Sequence, residues 1–122
     1  MCLYKRTKTR KKAAKDIVVY KFLEPTDTGQ WKSPYMRDFL WEVGKEYMAS
    51  RARYNHPVTI VMDGYFHTYS SMMDAFGGAR SYGLSARVFK CIIPKGSYYF
   101  EGFDSIGAKG FASKKLRIVE QV

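Results

Sequence analysis

Cysteine, histidine and proline are scarce in this 122-residue chain, and acidic side chains are outnumbered almost two to one by basic ones. Cys2 and Cys91 are the only cysteines, too few for a disulfide framework, so a reducing compartment is expected. Together with His56 and His67 they show none of the paired spacings that zinc sites use, and no metal is expected. No apolar run approaches the roughly 20 residues of a membrane-spanning helix. The basic N-terminus has no apolar core behind it, so a secretory signal is not expected. The carboxylates are scattered singly and suggest no glycosidase-like pair. Lys95-Gly96-Ser97 is followed by aromatics, whereas a phosphate-binding loop needs more glycine and a Gly-Lys-Ser/Thr opening a helix.

What the chain has in quantity is aromatic surface and positive charge. Aromatics make up 16% of the residues, and tyrosine leads them with ten. Such side chains suit half-buried pleated surfaces and so favour sheet. The length fits one domain, which buries roughly two-thirds of its unfolded surface. The formal net charge of +10 is unevenly placed. Residues 1–21 carry Lys5, Arg6, Lys8, Arg10, Lys11, Lys12, Lys15 and Lys21 against Asp16 alone, a net +7. A basic run this dense repels itself, which marks residues 1–15 as an N-terminal arm suited to a polyanion and residues 16–122 as the domain.

Residues 16–23 read as a strand from their β-branched and aromatic content. Residues 24–35 read as a loop punctuated by Pro25, Gly29 and Pro34. Two short extended segments, 39–43 and 46–48, flank a turn at Gly44-Lys45, and residues 51–57 are irregular. Asp63-Gly64 between 59–62 and 65–68 has the chemistry of a two-residue hairpin turn. Ser71 then opens a helix over about 72–82, with Asp74 completing a capping-box pattern. Met72, Ala75, Phe76 and Ala79 form one apolar stripe. Gly77 and Gly78 weaken that helix and signal a close neighbour, and Gly83 stops it. Residues 86–93 carry apolar groups on both faces, as an interior strand does, and make Cys91 a small buried hydrophobe. Pro94-Lys95-Gly96 reads as the turn of a hairpin leading into Tyr98-Tyr99-Phe100, and residues 115–119 as a last strand. The fold class expected is α+β: one small domain, mostly antiparallel sheet, with one main helix and a basic arm.

Two groups of side chains are candidates for binding. Lys5, Arg6, Lys8, Arg10, Lys11, Lys12 and Lys15 are placed to contact nucleic-acid phosphates or another polyanion. Tyr65, Phe66, Tyr69, Tyr98, Tyr99 and Phe100 offer rings on which single-stranded bases stack, with Tyr98 and Tyr99 the leading pair. His67, close to Tyr69-Ser70-Ser71, has no carboxylate partner in sequence and reads as an ordinary polar residue.

The order Val19-Tyr20-Lys21-Phe22, Trp41-Glu42-Val43-Gly44-Lys45-Glu46-Tyr47, Gly64-Tyr65-Phe66-His67, Val88-Phe89-Lys90-Cys91 and Ala112-Ser113-Lys114-Lys115-Leu116-Arg117-Ile118-Val119 resembles a family of small phage and prophage domains. The resemblance spans about residues 17–120. It implies a phage or mobile-element origin and an α+β fold with a Val-Gly-Lys-x-Tyr hairpin, and it supplies no catalytic residues to carry over. The layout is also similar to that of ADP-ribosyltransferases. That likeness would put Lys21 where the family's NAD-holding Arg stands, Tyr69-Ser70-Ser71 at its serine segment, and Glu101 or Glu120 as its acid.

The function expected is therefore a phage-associated, non-enzymatic binding protein without cofactor, its basic arm on nucleic acid or an acidic protein surface. It would act in the host cytoplasm or the virion, off the membrane, alone or as an oligomer. A structural virion protein and an NAD-using transferase are the alternatives.

Overall fold

A computed structural model describes residues 4–5, 10–33, 36–49, 65–104 and 106–122; for 4–5 and 36–39 it describes the backbone only. The described chain forms eleven strands and one helix. These are β1 (Tyr4–Lys5), β2 (Lys11–Lys12), β3 (Ile17–Pro25), β4 (Trp31–Ser33), β5 (Met36–Trp41), β6 (Glu46–Met48), β7 (Phe66–Tyr69), α1 (Met72–Tyr82), β8 (Arg87–Ile93), β9 (Tyr98–Phe103), β10 (Lys109–Ser113) and β11 (Lys115–Gln121). A mostly antiparallel sheet with a single helix is thus the architecture, as expected for the fold class. Among the described residues no helix is long and apolar enough to cross a membrane.

Strand order explains the core. The ladder runs β1-β9-β10-β7-β3-β8-β11-β6. Only Lys114 separates β10 from β11, so they are two halves of one bent strand. The path β10-β7-β3-β8-β11 therefore starts on one half and returns to the other, and the sheet curls into a closed ring. Alternation along each strand points every second side chain inward. The interior is Val19 and Leu23 from β3, Phe66 from β7, Phe89, Cys91 and Ile93 from β8, Phe111 from β10, and Leu116 and Ile118 from β11. Trp41 and Ala13 complete that cluster.

Helix α1 packs on the outside of the ring, against Phe22, Tyr69 and Val88 through Ala75 and Ala79. The Ser71 hydroxyl accepts from the Asp74 amide at 3.1 Å, satisfying one of the first-turn donors. The expected stripe holds at Ala75, Phe76 and Ala79, while Met72, at the first turn, is exposed. The glycine pair splits in role. A Cβ on Gly78 would come within 2.5 Å of the Tyr69 hydroxyl and 2.8 Å of Phe22, whereas one on Gly77 would meet nothing within 4 Å.

Several sequence expectations are corrected by pairing. Residues 24–35 are not a plain loop: β3 continues to Pro25 and turns back into β4, with Glu24 opposite Lys32. The segments flanking Gly44-Lys45 do not form a hairpin, because β5 pairs with β4 and β6 with β11. Instead the turn docks on the ring, the Gly44 amide donating to the Ile118 carbonyl at 2.6 Å. Pro94-Lys95-Gly96 is a turn, with the Ser97 amide bonded to the Pro94 carbonyl and Gly96 at φ +87°, which favours glycine. It does not make a hairpin either. The ring takes β8 between β3 and β11, leaving β9 to pair with β10, β1 and β2. The first strand of the hairpin expected around Asp63-Gly64 lies outside the described residues.

Candidate nucleic-acid interface

The described part of the expected arm is built into the sheet. Lys11 pairs with Tyr99 and Lys12 with Tyr98. Beyond them Ala13 is 3% exposed, its amide donating to Ser97 and its carbonyl accepting from Gly96 at 2.9 and 2.8 Å. A small side chain fits there because it enters the ring's core beside the Gly96 turn. The arm and domain therefore do not divide cleanly after residue 15 in the described chain.

This pairing sorts the candidate residues onto two faces. Residues directly opposite in an antiparallel ladder share a face, and neighbours along a strand alternate. Arg10, Lys12 and Tyr98 consequently fall on one side of β2–β9, and Lys11 and Tyr99 on the other. The Arg10 guanidinium lies 4.1 Å from the centre of the Tyr98 ring. Tyr98 remains 40% exposed. Tyr99 instead packs against the core, edge-on to Phe111 at 5.7 Å, so the two tyrosines do not form one stacking surface. Lys11 meets Glu101, the one acid of β9, at 3.4 Å on that opposite side.

The Arg10 side gains two residues that spacing alone did not single out together. At the bend between β10 and β11, the Lys114 amide donates to the Tyr98 carbonyl at 3.0 Å. Its ammonium lies 4.5 Å from the centre of the Tyr65 ring. Burial, and after it the positive charge of Arg10, hold the Lys114 amine below its ordinary pKa. Tyr65 stands edge-on to Phe100 at 5.4 Å, and Phe100 follows Tyr98 by two residues on the same face of β9. The result is a strip with Lys12 on its β2 side, Arg10 over Tyr98 and Lys114 over Tyr65. In the sequence Lys114 stands just before the last expected strand, 115–119, and its closeness to Arg10 arises from the bend. Lys15 is exposed just past Ala13. Lys5 pairs through its backbone with Gly102 in β1–β9, and Arg6 and Lys8 lie outside the described residues.

The reactive-group candidates have structural surroundings. Cys91 is fully buried, and burial pushes its thiol up to about 12, the opposite of an activated nucleophile. Lys21 lies between Val19 and Leu23 on the inward side of β3. Its ammonium donates to the His67 carbonyl at 2.8 Å, across a seam where β3 and β7 share only the pair Tyr20–Tyr69. Burial lowers the Lys21 amine to about 8, with the nearby Cys91 opposing that shift. Tyr69 packs on Phe22, Ser71 caps α1 and Glu101 faces Lys11. Among the described residues no three His, Cys, Asp or Glu side chains gather into a metal site. Comparison with protein-family models, with curated proteins and with solved structures gave no match.

Proposed function

We propose that this chain is a phage- or mobile-element-associated, non-enzymatic binding protein that contacts nucleic acid through the outer face of β2 and β9. The observation that supports it most is the alignment of Arg10, Lys12 and Lys114 around Tyr98, with Arg10 close enough to Lys114 to disfavour its charge. Like charges held together are unfavourable unless an anion arrives, and a phosphate backbone brings one at every step. Such contacts fix position without reading base edges, so binding is sequence-tolerant. The protein would work in the host cytoplasm or in the virion, where phage nucleic acid is.

Oligonucleotide titrations at several salt concentrations test this. Changing Arg10, Lys12 and Lys114 together to Gln removes up to three phosphate contacts. The slope of log affinity against log salt should flatten by about 2 to 3 units on duplex DNA. An unchanged slope would move the contact away from this face. Absence of binding at low salt would remove the nucleic-acid function altogether, leaving an acidic protein surface as the partner to test.

A further inference from the structure

We infer that the nucleic acid taken by this face is single-stranded, its bases stacking at two stations, Arg10–Tyr98 and Lys114–Tyr65. This rests on the nucleic-acid reading above and adds the strand class to it.

The chemistry of the strip separates the two forms of nucleic acid. A duplex offers its phosphates outward and keeps its base faces stacked inside. A purely cationic surface would serve it as well, and exposed rings would lose water without gaining a partner. Here the centre of the cationic strip is aromatic, with Tyr98 40% exposed and Tyr65 half-buried beside it. A single strand leaves base faces available, and every base has one. Arg10 over Tyr98 does not block this, because a planar guanidinium is itself a stacking surface and extends the pile by one layer. Tyr65 makes the second station, where a base takes the ring face and the Lys114 ammonium now over it moves aside to a phosphate. The two are adjacent through the hydrogen bond from the Lys114 amide to the Tyr98 carbonyl. Phe100 lies about 7 Å along β9 from Tyr98 on the same face, buried and in a T-shaped contact with Tyr65. Lys12, directly opposite Tyr98, flanks the strip on the side of β2, within reach of the phosphates of a strand lying there.

The test titrates the full chain with a mixed-sequence single-stranded oligonucleotide, as DNA and as RNA, and with the matching duplex, by fluorescence anisotropy. Single strands are expected to bind more tightly. Tyr98→Ala and Tyr65→Ala should each weaken single-strand binding about 5- to 100-fold and leave duplex binding nearly unchanged. Tyr98→Phe, which keeps the ring, should bind like the wild type, and thermal melts confirm that each variant is folded. Equal affinity for single strand and duplex, or Ala variants that weaken both alike, would overturn the single-strand inference and leave the polyanion reading standing. No binding to either form at low salt would overturn both.

Discussion

Lys21 and Lys114 are the same residue type in two different surroundings, and burial lowers the amine pKa of both. Lys114 sits at a bend, over an aromatic ring, with another cation beside it. Lys21 is half-buried on the inward side of β3, where its ammonium meets a backbone carbonyl and, among the described residues, no carboxylate. Burial lowers both, but only Lys21 falls to about 8. The outer lysine lies over a ring beside another cation, whereas the inner one bonds across the seam between β3 and β7. What separates them is place, Lys21 on the inward side of a strand and Lys114 at a bend, not the composition around them in sequence.

That contrast between interior and outer strip can be broken by substitution, and the largest effect should come from the interior. Phe89 is 1% exposed and stands edge-on to Trp31 at 4.7 Å. Phe89→Ala should cost about 3–5 kcal/mol in chemical denaturation. Tyr98→Ala on the outer strip should stay within about 0.5 kcal/mol. Equal costs would mean that the strip is part of the core.

Removal of residues 1–15 ranks next. From the sequence this segment reads as a dispensable arm, but removal also takes Ala13 and its bonds to Gly96 and Ser97. We expect a cooperative transition to persist with a loss of about 2–4 kcal/mol, the pairing of β1 and β2 with β9, the two Ala13 hydrogen bonds and one small buried side chain being at stake. A truncated protein as stable as the full chain would show that Ala13 contributes nothing to the core.

The pH dependence of stability sharpens the comparison of the two lysines. Below pH 8 both the folded and unfolded chains carry the Lys21 ammonium, and the folded state bears the full cost of burying it. As pH rises past 8 the folded chain gives up that proton first. Stability should therefore climb until the unfolded lysine deprotonates near its ordinary 10.5. Cys91 acts oppositely as pH rises through about 9, because its unfolded thiol ionises there while the folded one stays protonated to about 12. Between pH 8 and 9 the Cys91 contribution is shared by wild type and Lys21→Met, so the difference between the two proteins reports Lys21. There the wild type should gain about 0.5–1 kcal/mol relative to Lys21→Met, measured by denaturant midpoints in the two buffers. A parallel pH response in the two proteins would place the Lys21 amine in water.

The smallest effect concerns the helix glycines. Gly77→Ala should stabilise by up to about 1 kcal/mol, since helix propensity improves and nothing stands in the way. Gly78→Ala should destabilise, because Tyr69 and Phe22 would have to move. Thermal melts of the two variants should shift in opposite directions, and a shared direction would remove the close packing of α1 on β3 and β7.

Local chemistry was legible from the chain itself. Ser71, three residues before Asp74, marks the start of α1, and Gly83 its end, because capping involves only near neighbours. The apolar residues of 87–93 mark an interior strand, and Gly96 marks a turn, for the same reason. A basic segment and an excess of tyrosine are likewise visible at once. Which strands become partners was decided by the tertiary structure, because closing a ring depends on segments far apart in sequence. That closure gives β8 and β9 different partners on either side of one turn, puts Lys21 on the inward side, and stitches Lys11–Ala13 beside β9. Pairing then divides Tyr98 from Tyr99 and, through the bend at Lys114, brings Arg10, Tyr98, Lys114 and Tyr65 to one surface. No spacing rule contains that grouping, since a side chain's face is set by its register against strands far away in the chain.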